Sequence, residues 1–143
     1  MNIVVYSIDQ YDEVMALMRR IPGVSIRDAD ARAATARYLE RNPGLSFLAV
    51  ADNQVVGCAM CGHDGRRGYL QHVVVDPAYR RQGLANALVE RCLAELGTLG
   101  IDKTHIDVLV DNDLGNGYWT RRGWQKRDDI HRYSMNRSGR ANA

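Results

Sequence analysis

Cysteine is scarce in this 143-residue chain: only Cys58, Cys61 and Cys92 occur. An odd and small number builds no disulfide framework and fits a reducing compartment. Long apolar runs are missing too, none approaching the roughly 20 residues that a membrane span needs. Met1 leads straight into Asn2-Ile3-Val4-Val5-Tyr6 with neither a basic stretch nor an extended apolar segment, so a cytoplasmic protein is expected. Charge of one sign is not in excess. Nineteen Lys and Arg against 17 Asp and Glu leave +2, too balanced to make nucleic acid the expected partner. Neither G-x-x-x-x-G-K-[ST] nor G-x-G-x-x-G occurs, which removes the signatures of nucleotide hydrolysis and hydride transfer. A single C-x-x-C, Cys58 to Cys61, lies in a strand-like run where the two thiols point to opposite faces, and no second pair accompanies it. Packed thiols and no metal are therefore expected.

What is present is the composition of a folding chain, 45% hydrophobic and 25% charged, of one-domain size. Ile3 to Ser7 reads as a strand, followed by a helix with Asp9 as N-cap and Tyr11, Val14, Met15 and Met18 at helical spacing. Asp30 to Glu40 reads as a weaker helix closed by Asn42-Pro43-Gly44. Leu45 to Ala51, Val55 to Gly62 and Tyr69 to Val75 form an antiparallel meander. The clearest helix follows, with Leu84, Leu88, Cys92 and Leu96 on one stripe. Thr104 to Val110 is a strand, Asp113 to Arg122 a short helix, and Trp124 to Lys126 with Ile130 to Met135 a closing hairpin. The predicted class is α/β of the α+β kind: one domain over residues 1–136, a mixed, mostly antiparallel sheet of six to seven strands, about four flanking helices, and a frayed tail at 137–143.

The chemistry concentrates in Val73-Val74-Val75-Asp76-Pro77-Ala78-Tyr79-Arg80-Arg81-Gln82-Gly83-Leu84-Ala85. A strand runs through a basic, glycine-containing turn into a helix whose first N–H groups have no internal partners, so Gln82 to Ala85 would form an anion cradle flanked by Arg80 and Arg81. Read on its residues alone, an arginine-rich solvated turn is an equal alternative. R-x-x-G-x-A after a strand ending V-x-V-D-P resembles the coenzyme A motif Q/R-x-x-G-x-G/A of the GNAT N-acetyltransferase family. Asn112 to Trp124, N-D-L-G-N-G-Y-W-T-R-R-G-W, resembles that family's N-x-x-A-x-x-x-Y-x-x-x-G-F segment. Both come in family order, and the likeness spans roughly residues 2–136. G-H-D-G-R-R-G before the motif strand is further similar to the small bacterial YpeA-like group.

The resemblance implies a GNAT-like fold with splayed central strands and an acetyl-coenzyme A-dependent N-acetyltransferase acting on a primary amine of a small molecule or a protein, as a monomer or homodimer. By position, Val73 and Val75 would bond the pantetheine arm through their main chain, Arg80, Arg81, Gln82, Gly83, Leu84 and Ala85 would hold the pyrophosphate, and Asn112 would touch pantetheine, cap the following helix, or do both. The Val74 N–H is expected to stabilise the oxyanion. Asp107, five positions before Asn112, corresponds to a glutamate of N-terminal-amine acetyltransferases and is expected to accept the amine's proton directly or through water, the alternative being a carboxylate exposed at a strand surface or paired with an arginine. Where the family carries its tyrosine acid this chain has Trp119, which cannot serve as an acid near neutrality; Tyr118, one residue away, is the substitute candidate. That departure leaves a catalytically silent acyl-CoA-binding or sensing domain as a second reading. An RNA-binding module using Arg66, Arg67, Arg121 and Arg122 is a third. The acceptor is expected between the first two helices and the Asp64 to Gly68 loop, bordered by His63 and Tyr69. Asp28, Asp30 and Glu40 read as solvated charge or as attraction for a cationic amine, and His72 as a structural histidine or as a base or water relay.

Overall fold

The computed structural model describes residues 1–143, which divide into two compact units, residues 1–106 and 107–143. The first unit is a five-stranded sheet in the order β1 (Asn2–Val5), β2 (Phe47–Ala51), β3 (Gln54–His63), β4 (Gly68–Val75) and β5 (Thr104–Ile106). The first three pairings are antiparallel, and β4 with β5 is parallel. The β2–β3 hairpin closes with Ala51 opposite Gln54, and its two central residues, Asp52 (φ 52°) and Asn53 (φ 60°), take the left-handed backbone that a two-residue hairpin turn demands.

Helix α1 (Tyr11–Arg20) carries Asp12 and Glu13 in its first turn and Arg19 and Arg20 in its last, each sign against the opposite end of the helix dipole. Its buried stripe, Val14, Met15, Leu17 and Met18, packs with Leu48, Cys58 and Met60. The expected cap, Asp9, lies inside a preceding 3-10 turn (Ile8–Gln10) instead. Ser7 is the capping residue, because its hydroxyl accepts from the Asp9 N–H while the Gln10 side chain accepts from the Ser7 N–H, a reciprocal arrangement that Asp9 lacks. Helix α2 (Arg32–Arg41) buries only Thr35, in keeping with its weak amphipathicity. Helix α3 (Leu84–Thr98) buries Leu84, Leu88, Val89, Cys92 and Leu96. Cys58 belongs to the core on the α1 side, whereas Cys61 neighbours the free Cys92 thiol of α3 and donates its N–H to the Ser46 hydroxyl, so the C-x-x-C pair does divide between faces. Burial pushes the Cys58 thiol up to about 12, and the Cys61 contact, with burial behind it, raises that of Cys92, so both are inert packing groups at neutral pH.

The second unit holds one helix, α4 (Asp113–Arg121). Two expectations fail here. The strand foreseen to Val110 stops at Ile106, and the closing hairpin of residues 124–135 does not form, which leaves five strands instead of six or seven. Alternation of apolar residues makes a strand only where a ladder partner meets it. In this segment Arg127 pairs with its neighbour Asp129 (3.0 Å) and Arg132 reaches back to Asp107 (2.8 Å), while Ile130, Tyr133 and Met135 stay exposed. No helix of the structure is long and apolar enough to cross a membrane.

Candidate active site

The corner between β4 and α3 is built by short-range bonds. Asp76 ends the strand, and its carboxylate accepts from the Ala78 N–H (3.0 Å) and from Arg20 Nη2 of α1 (3.0 Å), which ties the corner to the first helix. The Ala78 N–H bond, with Arg20 behind it, outweighs partial desolvation and holds the Asp76 carboxyl below the usual carboxylate range. A depressed value means that this stabilisation is complete above the unfolded carboxylate pKa of about 4 and is lost as pH falls through the lower folded value. Asp76→Asn should therefore lower the melting temperature by a few degrees at pH 7 and by little near pH 2, a difference that thermal denaturation at the two pH values measures. The Tyr79 hydroxyl donates to Asp52 Oδ2 (3.1 Å), and Arg80 Nε donates to the Val75 carbonyl (3.4 Å).

The next residues turn sharply. Arg81 (φ 63°) and Gly83 (φ 76°) both take the left-handed region, and α3 starts at Leu84. The N–H groups of Gln82, Gly83, Leu84 and Ala85 donate to no acceptor in the protein. A Cβ built on Gly83 would meet nothing within 4 Å. Four unspent donors and the positive end of a 15-residue helix dipole thus border open space, with the exposed Arg80 and Arg81 next to them in the chain, the properties of a polyanion cradle. Leu84 contributes only its main chain, since its side chain is buried.

Upstream, β4 carries a bulge. Val75 and Val74 face Gly57 and Cys58 of β3, but the next registered pair is Gln71 with Met60, so His72 and Val73 together oppose Ala59. His72 absorbs the extra residue with φ 48°. The Asp76 N–H donates to the Val56 carbonyl (2.8 Å), and the Val74 carbonyl faces Gly57. Because main-chain groups alternate sides along a strand, Val74 spends its N–H and C=O on the β3 side, and Val73 and Val75 present theirs to the opposite edge. On that edge β5 pairs only with Gly68, Tyr69 and Leu70, so the two strands part company before Gln71. The Val74 N–H expected to face an oxyanion lies in the sheet ladder instead, because the bulge resets the alternation.

His72 Nε2 lies 2.7 Å from Asp30 Oδ1, with 19% and 13% of the two side chains exposed. Asp30 closes a 3-10 turn (Asp28–Asp30) before α2, and its other carboxylate oxygen accepts the Arg27 N–H (2.8 Å). Its main-chain carbonyl accepts from Tyr11 Oη (2.6 Å) and Thr35 Oγ1 (3.3 Å). The loop bordering this unit's far edge is self-contained: Asp64 Oδ1 accepts the Arg66 and Arg67 N–H groups (both 2.8 Å), and His63 Nδ1 accepts the Gly65 N–H (3.0 Å). Nowhere do three or more His, Cys, Asp or Glu side chains gather as a metal site would require.

In the second unit Asn112 is the N-cap of α4, its Oδ1 accepting the Gly115 N–H at 2.9 Å. Trp119 is buried and packs edge-on to Tyr118 (4.9 Å between centroids) and against Trp124 (4.5 Å). Asp107 is 70% exposed and paired with Arg132.

Residues 11–124 match the model of the acetyltransferase (GNAT) family. The chain belongs to that family. An acetyltransferase of Yersinia pestis (strain Pestoides F) is 32% identical over 130 residues, covering 91% of this chain and 92% of the relative. Among solved structures, the PaiA N-acetyltransferase of Thermoplasma acidophilum, in complex with coenzyme A, superposes with a TM-score of 0.79 over 90% of this chain and 92% of its own at 16% identity. The aminoglycoside N-acetyltransferase AAC(6')-Iy, also in complex with coenzyme A, does so at 0.74 over 94% and 93% with 19% identity. These two likenesses carry the GNAT fold.

In this GNAT acetyltransferase the structure brings together Val73, Val75 and Arg80 to Ala85 in the first unit, and places Asp107, Asn112, Tyr118 and Trp119 in the second. The paired Asp30 and His72 are the feature that sequence reading did not join. They are 42 residues apart, and no motif links them.

Proposed function

We propose that this GNAT acetyltransferase transfers the acetyl group of acetyl-coenzyme A to a primary amine in the cytoplasm, where its three free thiols would stay reduced. The observation that carries the reading is the corner at Gln82 to Ala85, with four unspent N–H donors around a glycine that no side chain covers. Its donor set suits a diphosphate, with Arg80 and Arg81 adding full charges. The edge of β4 that β5 leaves unpaired at Val73 and Val75, where only the Val75 carbonyl takes a bond from Arg80, suits a pantetheine arm, whose amides pair with main chain as an added strand would. The coenzyme A carried by the solved relatives supports the same donor.

The remaining roles rest on family position. Asn112 and Trp119 line the pantetheine arm, Asn112 through the amide nitrogen that its capping bond leaves over. Tyr118 returns a proton to the leaving thiolate. Asp107 acts through water, because its carboxylate is exposed and shared with Arg132. The oxyanion donor passes from Val74 to the neighbouring open-edge N–H of Val73 or Val75, by the alternation described above.

The test is an amine panel, covering aminoglycosides, polyamines and peptide N-termini, incubated with acetyl-coenzyme A and read both as free thiol and as acetylated amine. Amine-dependent thiol release is expected. Thermal stabilisation by acetyl-coenzyme A without turnover would instead favour the silent binding domain that Trp119 suggests.

A further inference from the structure

We propose that His72, held by Asp30, takes the proton from the acceptor's ammonium group. The inference rests on the amine acetyltransferase reading and assigns to that site a base that family position does not mark. Three observations converge on the pair. His72 sits at the bulge of β4, beside the main chain that faces the open edge, and keeps a left-handed backbone (φ 48°) that residues other than glycine seldom adopt. Conformations of this kind persist where surrounding structure enforces them, and they gather at functional sites. The second observation is how firmly Asp30 is fixed: Oδ2 holds the Arg27 N–H, while its carbonyl receives the Tyr11 and Thr35 hydroxyls, so Oδ1 is left for His72 alone. The third is partial exposure. At 19% and 13% the pair is sheltered enough for its bond to be effective and open enough for an amine to reach the ring.

The tautomer follows from the partner. A carboxylate only accepts, so Nε2 carries the hydrogen that binds Asp30, and Nδ1 keeps its lone pair and makes no hydrogen bond within the protein. An ammonium group donates one proton to Nδ1. The positive charge created on the ring then lies 2.7 Å from a carboxylate oxygen. The freed nitrogen lone pair attacks the thioester carbon, the C–N bond forms, and the C–S bond breaks with its electron pair on sulfur. The second proton lost by nitrogen ends on the thiolate, leaving amide and free thiol, and His72 releases its proton to solvent. Overall, one ammonium and one thioester give one amide, one thiol and one proton. Asp30 is a positioning residue, and on this assignment the amine's proton goes to His72 in place of Asp107.

The backbone itself supplies a clean variant. Glycine adopts φ near 48° without strain, so His72→Gly removes the imidazole while suiting the bulge better than histidine does. With an amine that the wild-type protein acetylates, His72→Gly should lose kcat by about 100-fold or more, the usual scale for a general base. Its KM for acetyl-coenzyme A should change less than twofold, and relief of the backbone strain should offset part of the stability lost with the Asp30 bond, leaving the protein folded at the assay temperature. Added imidazole should restore part of the rate, scored as acetylated amine by mass because imidazole itself attacks thioesters. Asp30→Asn should lose at least tenfold in kcat, and Asp107→Asn only a few-fold. A His72→Gly protein within threefold of wild type, a loss that imidazole does not relieve, or a larger loss in Asp107→Asn than in His72→Gly would each overturn this assignment while leaving the acetyltransferase reading intact. Wild-type protein that acetylates no amine of the panel would overturn both.

Discussion

Gly83→Asp should abolish measurable binding of acetyl-coenzyme A at concentrations that saturate the wild-type protein, with a loss on the order of a hundredfold. A Cβ at this position meets no protein atom within 4 Å, so the fold has room for a side chain. Its backbone strain at φ 76° is modest for aspartate, which enters the left-handed region more readily than most residues. The effect is local: a carboxylate would occupy the open space before α3, claim the Ala85 N–H as an N-cap does, and repel a diphosphate by charge. Opposed in this way, two to three kcal/mol of lost attraction correspond to roughly 30- to 150-fold in dissociation constant. Titration calorimetry checks it, with Gly83→Ala as control, which keeps the donors and should lose about tenfold or less. Equal affinity in Gly83→Asp and wild type would remove the pyrophosphate from this corner.

Leu88→Ala should be the most destabilising of the simple truncations on α3, by about 3 kcal/mol. Leu88 is fully buried, and its Cδ1 lies within 3.1 Å of where a Gly57 side chain would begin, so it fills the gap left by a glycine on the adjoining strand. Removing three carbons opens a cavity that neighbours cannot close, since Gly57 has no side chain to extend and the β3 backbone is fixed on both sides by its ladders. For a chain of this size the loss is about 10 °C in melting temperature. Leu88→Met, which conserves volume, should recover most of it. Because Leu88 lies a full turn beyond the cradle, Leu88→Ala should bind acetyl-coenzyme A within about twofold of wild type at a temperature where it remains folded. The truncation thus tests packing separately from the ligand contacts of Gln82 to Ala85.

The ease with which each part could be read follows the range of the interactions that make it. The cradle is local. A strand end, an Asp-Pro, two arginines, a glycine and a small residue within 13 positions specify a turn and a helix start, and the chemistry of exposed N–H groups follows from the turn alone. Helix α3 was equally legible, because its apolar stripe repeats over four turns. The cap falls two residues earlier than expected, at Ser7 before the 3-10 turn that leads into α1, since Ser7 and Asp9 are both good caps and only the reciprocal bond with Gln10 separates them. The closing hairpin failed because strand pattern is a statement about one chain segment and strand formation one about two.

Val74 and His72 show the limit most directly. Side-chain alternation places each residue of β4 on one face only if the register is continuous, and one inserted residue reverses both side-chain and main-chain directions beyond it. Nothing in Gln71-His72-Val73 announces that histidine will take a positive φ. By itself the sequence determined the family, the order of most elements and the anion-binding corner, all of which depend on neighbours within about a dozen residues. Tertiary structure decided which N–H groups of β4 stay free, where β5 leaves it, and that an aspartate 42 positions earlier would meet a histidine on the bulge. Those contacts depend on how a strand, a loop and a helix turn pack across the sheet, and packing distances are set by the whole core and not by any one segment.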